Sequence, residues 1–187
     1  MLSKSSSDIK VSKRIVQIVR KSACRSKKLT GGFLTGKEFF MNTKAKVFKK
    51  YLKEKEVTVF QVEEVPDDEQ NTVTFQSHIQ VEGQQLPIMV ILDDSAFTVI
   101  RVLILNNALK QDKDVQLLYM ANTQNMNYKP FKLFYDRNGA LIMDACLTTI
   151  GDKEKDFATL GDEIYGMFDL IIKFLEANYR SWMKEIW

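Results

Sequence analysis

Few side chains in this sequence are of the types that carry out catalysis. His78 is the single histidine, and the two cysteines are Cys24 and Cys146. A thiolate beside an imidazole can act as a nucleophile, but the pattern places His78 on the polar face of one strand and Cys146 on the outer face of another. A zinc site is not expected, because a second histidine and clustered cysteines are both missing. We therefore predict no catalytic residues and a protein that is not an enzyme.

Two acidic stretches contain oxygen ligands of the kind that bind divalent cations. One is a cluster between two predicted strands, formed by Glu63, Glu64, Asp67, Asp68 and Glu69. A solvated hairpin rim has the same composition, and we favour that interpretation. The other, Asp136-Arg137-Asn138-Gly139, resembles the start of a calcium loop but lacks the later glutamate and the ligand spacing. Phosphate-binding and dinucleotide-binding motifs are also missing. We predict no metal ion and no cofactor.

Asn122 and Asn125 lie about one helical turn apart, near the end of a predicted helix. Their amides could bind a peptide or a small ligand. They could also end the helix and hydrogen-bond neighbouring backbone, as asparagine often does at such positions. The sequence favours this structural role and leaves ligand binding as the alternative.

Charge is distributed unevenly along the 187 residues. Residues 1–40 contain ten Lys or Arg and two acids, a net charge of +8, while residues 41–187 contain 17 basic and 22 acidic residues, a net charge of −5. This asymmetry indicates a basic arm attached to an acidic domain. Apolar residues in the arm, such as Ile15 and Ile18, permit a short amphipathic helix that could contact nucleic acid or a membrane surface. A loose tail is the simpler interpretation, because short helices are marginal without packing.

Met41 is a candidate for the natural start of the protein. Lys37-Glu38 can be encoded by a purine-rich run that resembles a bacterial ribosome-binding site, followed by a pyrimidine-rich spacer and a start codon. Residues 1–40 would then be a translated leader, and codons at Lys37-Glu38 without an AGGAG-like run would contradict this. No apolar run reaches the roughly 18 residues that cross a bilayer, and no secretory signal is present. We expect a cytoplasmic bacterial protein, with an organellar transit peptide as the minor alternative.

Periodicity predicts one α+β domain after the arm. A helix begins at Asn42 or Thr43 and ends near Glu54, with its lysines on the solvent side. Four strands follow over 57–65, 72–81, 86–92 and 97–105. Asp112 or Asp114 can cap the next helix, which carries Val115, Leu118, Tyr119 and Asn122 toward Asn125. Two strands over 131–135 and 140–148 and a closing helix over 157–186 complete the domain. The expected architecture is an antiparallel sheet with helices on one face, in the order α-β-β-β-β-α-β-β-α.

The strands differ in how they should be covered. Residues 72–81 alternate between apolar and polar side chains, as expected for a strand with one wet face. Residues 86–92 and 97–105 are almost continuously apolar, which is typical of strands covered on both faces. Helices would cover one face, and a subunit partner or a ligand could cover the other. Arg101 interrupts the second run, so we expect it to pair with a carboxylate or to lie at an edge.

The last third of the chain contains a hairpin and the closing helix. Asn138-Gly139 suits a type I′ turn between the last two strands. Met167, Ile172 and Phe174 widen the apolar stripe of the closing helix beyond what one sheet face needs, and we expect the surplus to meet a partner. Gly161 and Gly166 would permit the close approach of another element, at some cost in helix propensity.

Several of these residues recur in a recognisable order. Asn122 and Asn125 end the central helix, and the strand KLFYD and the turn residue Gly139 follow. Together with the order of elements, this pattern resembles the YbjN family over about residues 43–186. Members of that family look like type III secretion chaperones in fold, and some are called sensory transduction regulators. Membership implies a small, often dimeric binding or regulatory module, with no catalytic residues to transfer to this sequence.

These features together favour a noncatalytic protein-binding module, chaperone-like or signalling-regulatory. We expect a homodimer that associates through its apolar sheet surface or its last helix. It would offer a groove or a sheet face to a peptide or to a helix of another protein. The alternative is a regulator that contacts nucleic acid through residues 1–40. The sequence identifies neither the partner nor the pathway.

Overall fold

The computed structural model describes residues 41–109 and 112–187. The basic arm predicted over 1–40, with Cys24, lies outside these residues. The elements in chain order are α1 (Thr43–Glu54), β1 (Gln61–Glu64), β2 (Val73–Val81), β3 (Gln84–Leu92), β4 (Phe97–Leu105), α2 (Asp114–Asn127), β5 (Phe131–Tyr135), β6 (Leu141–Thr148) and α3 (Leu160–Ile186). A short 3-10 turn at Glu154–Phe157 precedes α3. The predicted α+β order, α-β-β-β-β-α-β-β-α, is confirmed.

The six strands form one antiparallel sheet in the order β1-β2-β3-β4-β6-β5. In the meander β1 to β4, each strand pairs with the next one along the chain. The chain then passes through α2 and returns as β5, the outermost strand, while β6 fills the place between β4 and β5. The pairing of β4 with β6 extends from Phe97 opposite Thr148 to Leu105 opposite Leu141. The sheet therefore has two edges, β1 and β5.

Alternate residues of each long strand are buried on one side of the sheet, which we name the inner face. The alternation predicted for β2 is confirmed, since Val73, Phe75 and Ile79 are fully buried. All three helices contribute buried residues to the same core cluster as the inner face, with Phe48 of α1 and Trp182 of α3 among the largest. The hydrophobic core thus lies between the inner face and the helices.

Helix α3 buries an apolar stripe along nearly its whole length. The prediction that surplus apolar surface on this helix meets a partner is wrong for Ile172 and Phe174, because both side chains are buried. The Phe174 ring centroid lies 4.6 Å from those of Tyr128 and Phe131. Phe174 therefore packs against Tyr128, which follows α2, and against Phe131, which begins β5.

Helix α1 is held to the sheet by its N-cap, Asn42. The Asn42 side chain accepts a hydrogen bond from the Ala45 N–H at 2.8 Å, and it donates to the carbonyl oxygens of Asn71 and Leu92, both at 2.8 Å. Of the two caps that the sequence allowed, Asn42 and Thr43, the structure selects the first. The Asn42 side chain therefore caps the first turn of α1 and joins the helix to the backbone at Asn71 and Leu92.

Lys44 follows the cap and is almost fully buried, with 3% of its surface exposed. Its ammonium donates to the carbonyl oxygens of Ser95 and Phe97 at 2.8 and 2.6 Å, and to Thr149 Oγ1 at 3.3 Å. The expectation that the lysines of α1 lie on the solvent side is wrong for this residue. Its position one helical turn before the buried Phe48 is the sequence signal that would have placed it on the inner side.

Two tight turns close the hairpins of the sheet. Glu82-Gly83 joins β2 to β3, and both residues have positive φ, 48° and 79°, as a type I′ turn requires. The type I′ turn predicted at Asn138-Gly139 is wrong, because only Gly139 has positive φ there, 73°. The Asp136 carboxylate instead accepts hydrogen bonds from the N–H groups of Asn138 and Ala140, at 2.9 and 2.8 Å. The loop is a longer turn that ends in a left-handed glycine.

Helix α2 begins without the side-chain cap predicted at Asp112 or Asp114. Its N-cap is Lys113, which makes no capping hydrogen bond. The Lys113 ammonium donates to the carbonyl oxygen of Glu185 at 3.2 Å, so it holds the start of α2 against the end of α3. Asp114 occupies the first turn, where a carboxylate is favoured by the helix dipole.

Candidate functional site

The outer face of the sheet carries apolar side chains that are only partly buried. Along β3, β4, β5 and β6, these side chains alternate with the buried residues of the inner face. We name the open face the set Met89, Ile91, Val99, Leu103, Phe134 and Ile142. Ile91 lies opposite Val99, and Ile142 lies between Leu103 and Phe134 in the cross-strand register. The two continuous apolar runs of the sequence thus have one side in the core and the other on the open face.

An ion pair lies in the middle of the open face. Arg101 and Asp144 face each other across β4 and β6. Their contact is bidentate, with Nε to Oδ1 and Nη2 to Oδ2 both at 2.8 Å. The pairing predicted for Arg101 is confirmed, and hydrogen bonding to Asp144 raises the pKa of its guanidinium. Because the pair is neutral as a unit, covering it costs less than covering a lone charge.

Two residues of β5 add positive charge and an aromatic ring to this centre. Lys132 is the cross-strand neighbour of Asp144. The Lys132 Nζ and the Arg101 Cζ each lie 5.7 Å from the centroid of the Phe134 ring, within the range of a cation–π contact. Two cations therefore contact one aromatic ring, and one of them, Arg101, also pairs with the Asp144 carboxylate. This arrangement suits an apolar partner segment that supplies a carboxylate or backbone carbonyl oxygens.

Asn125 closes the β5 edge of the sheet. Its Nδ2 donates to the carbonyl oxygen of Leu133 at 2.9 Å, and its Oδ1 accepts from the Leu133 N–H at 2.7 Å. An added strand would otherwise use these two backbone groups. Asn122 is exposed, and its amide lies 3.7 Å from Met126 Sδ. The two asparagines do not converge on one site, and Asn125 has the structural role that the sequence favours.

We expect Asn125→Ala to lower the free energy of unfolding by about 1–2 kcal/mol. The substitution removes the hydrogen-bond partners of the N–H and the carbonyl oxygen of Leu133, a residue that is 2% exposed. Urea unfolding of dilute protein measures this change. Asn122→Ala is a matched control on the same helix, and it should change the same quantity by less than about 0.5 kcal/mol. Equal losses from the two substitutions would contradict the edge-closing role.

The structure separates the two residues that could form a Cys-His nucleophile. Cys146 lies on β6 opposite Val99, and His78 lies on β2 opposite Pro87. Because β3 and β4 lie between them, sheet geometry puts the two side chains roughly 20 Å apart. Burial and the nearby Asp144 raise the pKa of the Cys146 thiol, which disfavours the reactive thiolate. These residues are not brought together in one site.

Two of the acidic residues around β1 accept hydrogen bonds from neighbouring residues. Glu63 accepts a hydrogen bond from Gln76 Nε2 at 3.0 Å. Asp68 Oδ2 accepts from the Thr72 N–H at 2.9 Å, and hydrogen bonding from Thr72 lowers the pKa of Asp68. Within residues 41–109 and 112–187, no group of three or more His, Cys, Asp or Glu side chains is arranged to hold a metal ion.

The sequence placed Val115, Leu118, Tyr119 and Asn122 on this helix, but it did not show the outward surface that they form on α2. We name it the α2 stripe and define it as Val115, Leu118, Tyr119, Asn122 and Met126. Val115, Tyr119 and Met126 are 83%, 72% and 76% exposed, while the buried residues of α2 lie on the opposite side of the helix. The stripe residues do recur at helical spacing. Their exposure could not be read from the sequence, because the buried residues of α2 are also apolar and the helix has no single apolar side.

No protein-family model matches the chain, and a search of curated proteins finds no significant match. The resemblance to the YbjN family therefore stays a prediction. In the part of the chain that the structure describes, no helix combines the length and the apolar character needed to cross a membrane.

Proposed function

We propose that the chain is a noncatalytic protein-binding module of the YbjN type, chaperone-like or signalling-regulatory, that works as a homodimer. The observation that supports this proposal is the open face, an apolar surface with a neutral ion pair at its centre. In the proposed mechanism, a peptide or a helix of a partner protein lies across β4 and β6.

The same sheet provides an internal comparison for the open face. The outer residues of β2 are polar, and they are Thr74, Gln76, His78 and Gln80. The outer residues of β3, β4 and β6 are mostly apolar. Apolar character is therefore confined to one part of the outer face. A bounded apolar patch with a polar surround is the usual form of a binding surface.

Charge indicates which segments the open face would accept. Arg101 uses Nε and Nη2 for Asp144, but its side chain is 41% exposed. Its remaining N–H groups, with the ammonium of Lys132, can donate to a carboxylate or a carbonyl oxygen of the partner. We therefore propose a partner segment with apolar side chains on one face and an acidic residue among them.

A charged substitution within the open face tests the proposal. Ile142→Lys puts an ammonium between Leu103 and Phe134 and leaves the inner face unchanged. Affinity capture from the native cells should recover a partner with the wild-type chain, and about tenfold less of it with Ile142→Lys. Leu170→Lys, at an exposed position of α3, is the matched control and should retain the partner.

Circular dichroism of both variants establishes that any loss of capture does not come from unfolding. Equal recovery with the wild-type chain and with Ile142→Lys would contradict the open face as the binding surface. Loss with both variants would also contradict it, since Leu170 lies on another element. A wild-type chain that captures no protein would contradict the binding function itself.

Charge distribution favours one second candidate function. Residues 1–40 have a net charge of +8 against −5 for residues 41–187, as in a regulator that contacts nucleic acid through a basic arm. Fluorescence anisotropy with duplex DNA and with RNA distinguishes this candidate. It requires binding that weakens as salt rises and that disappears in a chain beginning at Met41.

A further inference from the structure

Helix α2 presents an apolar surface that points away from the core. Four side chains of the α2 stripe are more than half exposed: Val115, Leu118, Tyr119 and Met126. Among the 14 residues of α2, the charged residue is Asp114, in the first turn. A helix with one side in water normally carries charges on that side. Exposed apolar and aromatic residues without charges among them are typical of the centre of an interface.

Four of the five residues of the α2 stripe form two pairs that are symmetric about the midpoint of the helix, while the mirror position of Leu118 is occupied by Thr123. Val115 and Met126 lie equally far from that midpoint, on either side of it. The same is true of Tyr119 and Asn122, which lie closest to it. If two copies of α2 pack antiparallel about a twofold axis through the midpoint, each of these four residues faces its counterpart on the other copy. Val115 then meets Met126, and Tyr119 meets Asn122.

One pair of charges that flank α2 follows the same symmetry. Asp112 precedes the helix and Lys129 follows it, again equally far from the midpoint, and both are exposed. An antiparallel pair therefore brings Asp112 of each copy to Lys129 of the other. A parallel pair would put like charges together, at a cost. Antiparallel packing also aligns the two helix dipoles favourably.

We infer that α2 is an interface for a second copy of this chain, packed antiparallel. The inference rests on the homodimer in the proposed function and locates its contact surface, which is separate from the open face. A shallow depression lined by Asp112, Val115 and Tyr119 lies at the start of α2, where the second copy's Met126 would enter. Asn122, a polar residue near the centre, would fix the register of the pair.

The size of the helix sets the strength of the association. A helix of 14 residues is about 21 Å long. One such contact covers less than the roughly 800 Å² per partner that is usual for a stable interface. The dimer should therefore be in equilibrium with the monomer, with a dissociation constant on the order of ten to one hundred micromolar.

Sedimentation velocity of the full chain over a wide concentration range tests this inference. The wild-type mass should rise from 21.6 kDa towards twice that value. Tyr119→Glu puts an acid at the centre of the stripe, at a position that is 72% exposed, and it should stay monomeric at every concentration. Leu170→Glu, at an exposed leucine of α3, is the matched control and should dimerise like the wild type.

A charge exchange tests the antiparallel alignment. Asp112→Lys puts two lysines together at each end of the pair, and Lys129→Asp puts two acids together. Each single substitution should weaken dimerisation by roughly threefold to tenfold. The double variant, Asp112→Lys with Lys129→Asp, should restore the wild-type dissociation constant. A double variant that is weaker than both single variants would overturn the alignment.

The outcomes separate the interface from the wider proposal. A wild-type chain that stays monomeric throughout overturns both this inference and the homodimer, even if the stripe binds a different protein. A dimer that persists in Tyr119→Glu overturns the α2 interface but retains the homodimer. Binding at the open face is measured independently with Ile142→Lys, so its loss or survival does not affect either conclusion.

Discussion

Gly161→Ala should lower the free energy of unfolding by about 3 kcal/mol, although it adds only one methyl group to a helix. A Cβ at this position would overlap the ring of Tyr51, because the backbone of α3 passes directly against that ring. Tyr51 is held in place from several directions. Its hydroxyl donates to Asp162 Oδ1 at 2.8 Å, and its ring contacts those of Phe48 and Tyr165. Relief of the overlap must therefore move α1, α3 or both.

Gly166→Ala is the matched control on the same helix. An added Cβ at Gly166 has no atom within 4 Å, so the substitution should be neutral or should stabilise the helix by up to about 1 kcal/mol. The expected close approach is confirmed for Gly161 and is wrong for Gly166, which faces open space. Urea unfolding followed by circular dichroism compares the two variants. A Gly161→Ala protein as stable as Gly166→Ala would contradict the packing of α1 on α3.

Lys44→Met should lower the free energy of unfolding by about 3–5 kcal/mol. Methionine has a similar length but no donor. It would leave the carbonyl oxygens of Ser95 and Phe97, and Thr149 Oγ1, without the ammonium that now bonds them. A buried acceptor without a partner costs about 1–3 kcal/mol. The Asp93 carboxylate, 3.8 Å from the ammonium, would also lose its nearby positive charge.

Lys46→Met provides the control for Lys44→Met, because Lys46 is exposed on the same helix. Its effect should stay within about 0.5 kcal/mol. Urea unfolding of both variants at neutral pH measures the difference between the two positions. Similar losses from the two lysines would contradict the role of Lys44 as a buried anchor.

The pH dependence of stability provides a second test of the burial of the Lys44 ammonium. Burial lowers the pKa of Lys44 below its ordinary value. A base with a lowered folded pKa binds fewer protons in the folded state than in the unfolded state, so stability rises with pH between the two values. The wild-type protein should therefore gain stability relative to Lys44→Met as the pH approaches about 10.4. A difference that shrinks over this range would show that the ammonium is not desolvated.

The order of elements was predictable because each element has its own periodicity. The alternation of β2 and the three-and-four spacing of α3 are local properties, and they survive in the structure. The pairing of Arg101 was also predictable, since an unpaired charge in an apolar strand is costly. The side chain of Asp144 was not identified as the partner, because that requires the register of β4 with β6.

The features that escaped prediction depend on contacts between distant parts of the chain. The spacing of Lys44 from Phe48 puts it on the inner side of α1. The carbonyl oxygens of Ser95 and Phe97 and the Thr149 hydroxyl that bond its ammonium come from distant parts of the chain, so no local pattern indicates them. Asn125 hydrogen-bonds the backbone of Leu133 as a neighbouring strand would, and it can do so because β5 lies at the edge of the sheet. The apolar character of the open face was predicted, but its position on the sheet was not. Continuous apolar runs indicate two covered sides, but they do not show which side the helices take.

The position of β6 between β4 and β5 has a consequence for folding kinetics. The β1–β4 meander and the β5–β6 hairpin each form from contacts that are close in sequence. Pairing β4 with β6 instead brings Phe97 to Thr148 and closes a loop that contains α2. The chain must close this long loop before the β4–β6 contacts can stabilise it, and this requirement slows folding. We expect the meeting of these two preformed halves, rather than the formation of either, to limit the folding rate.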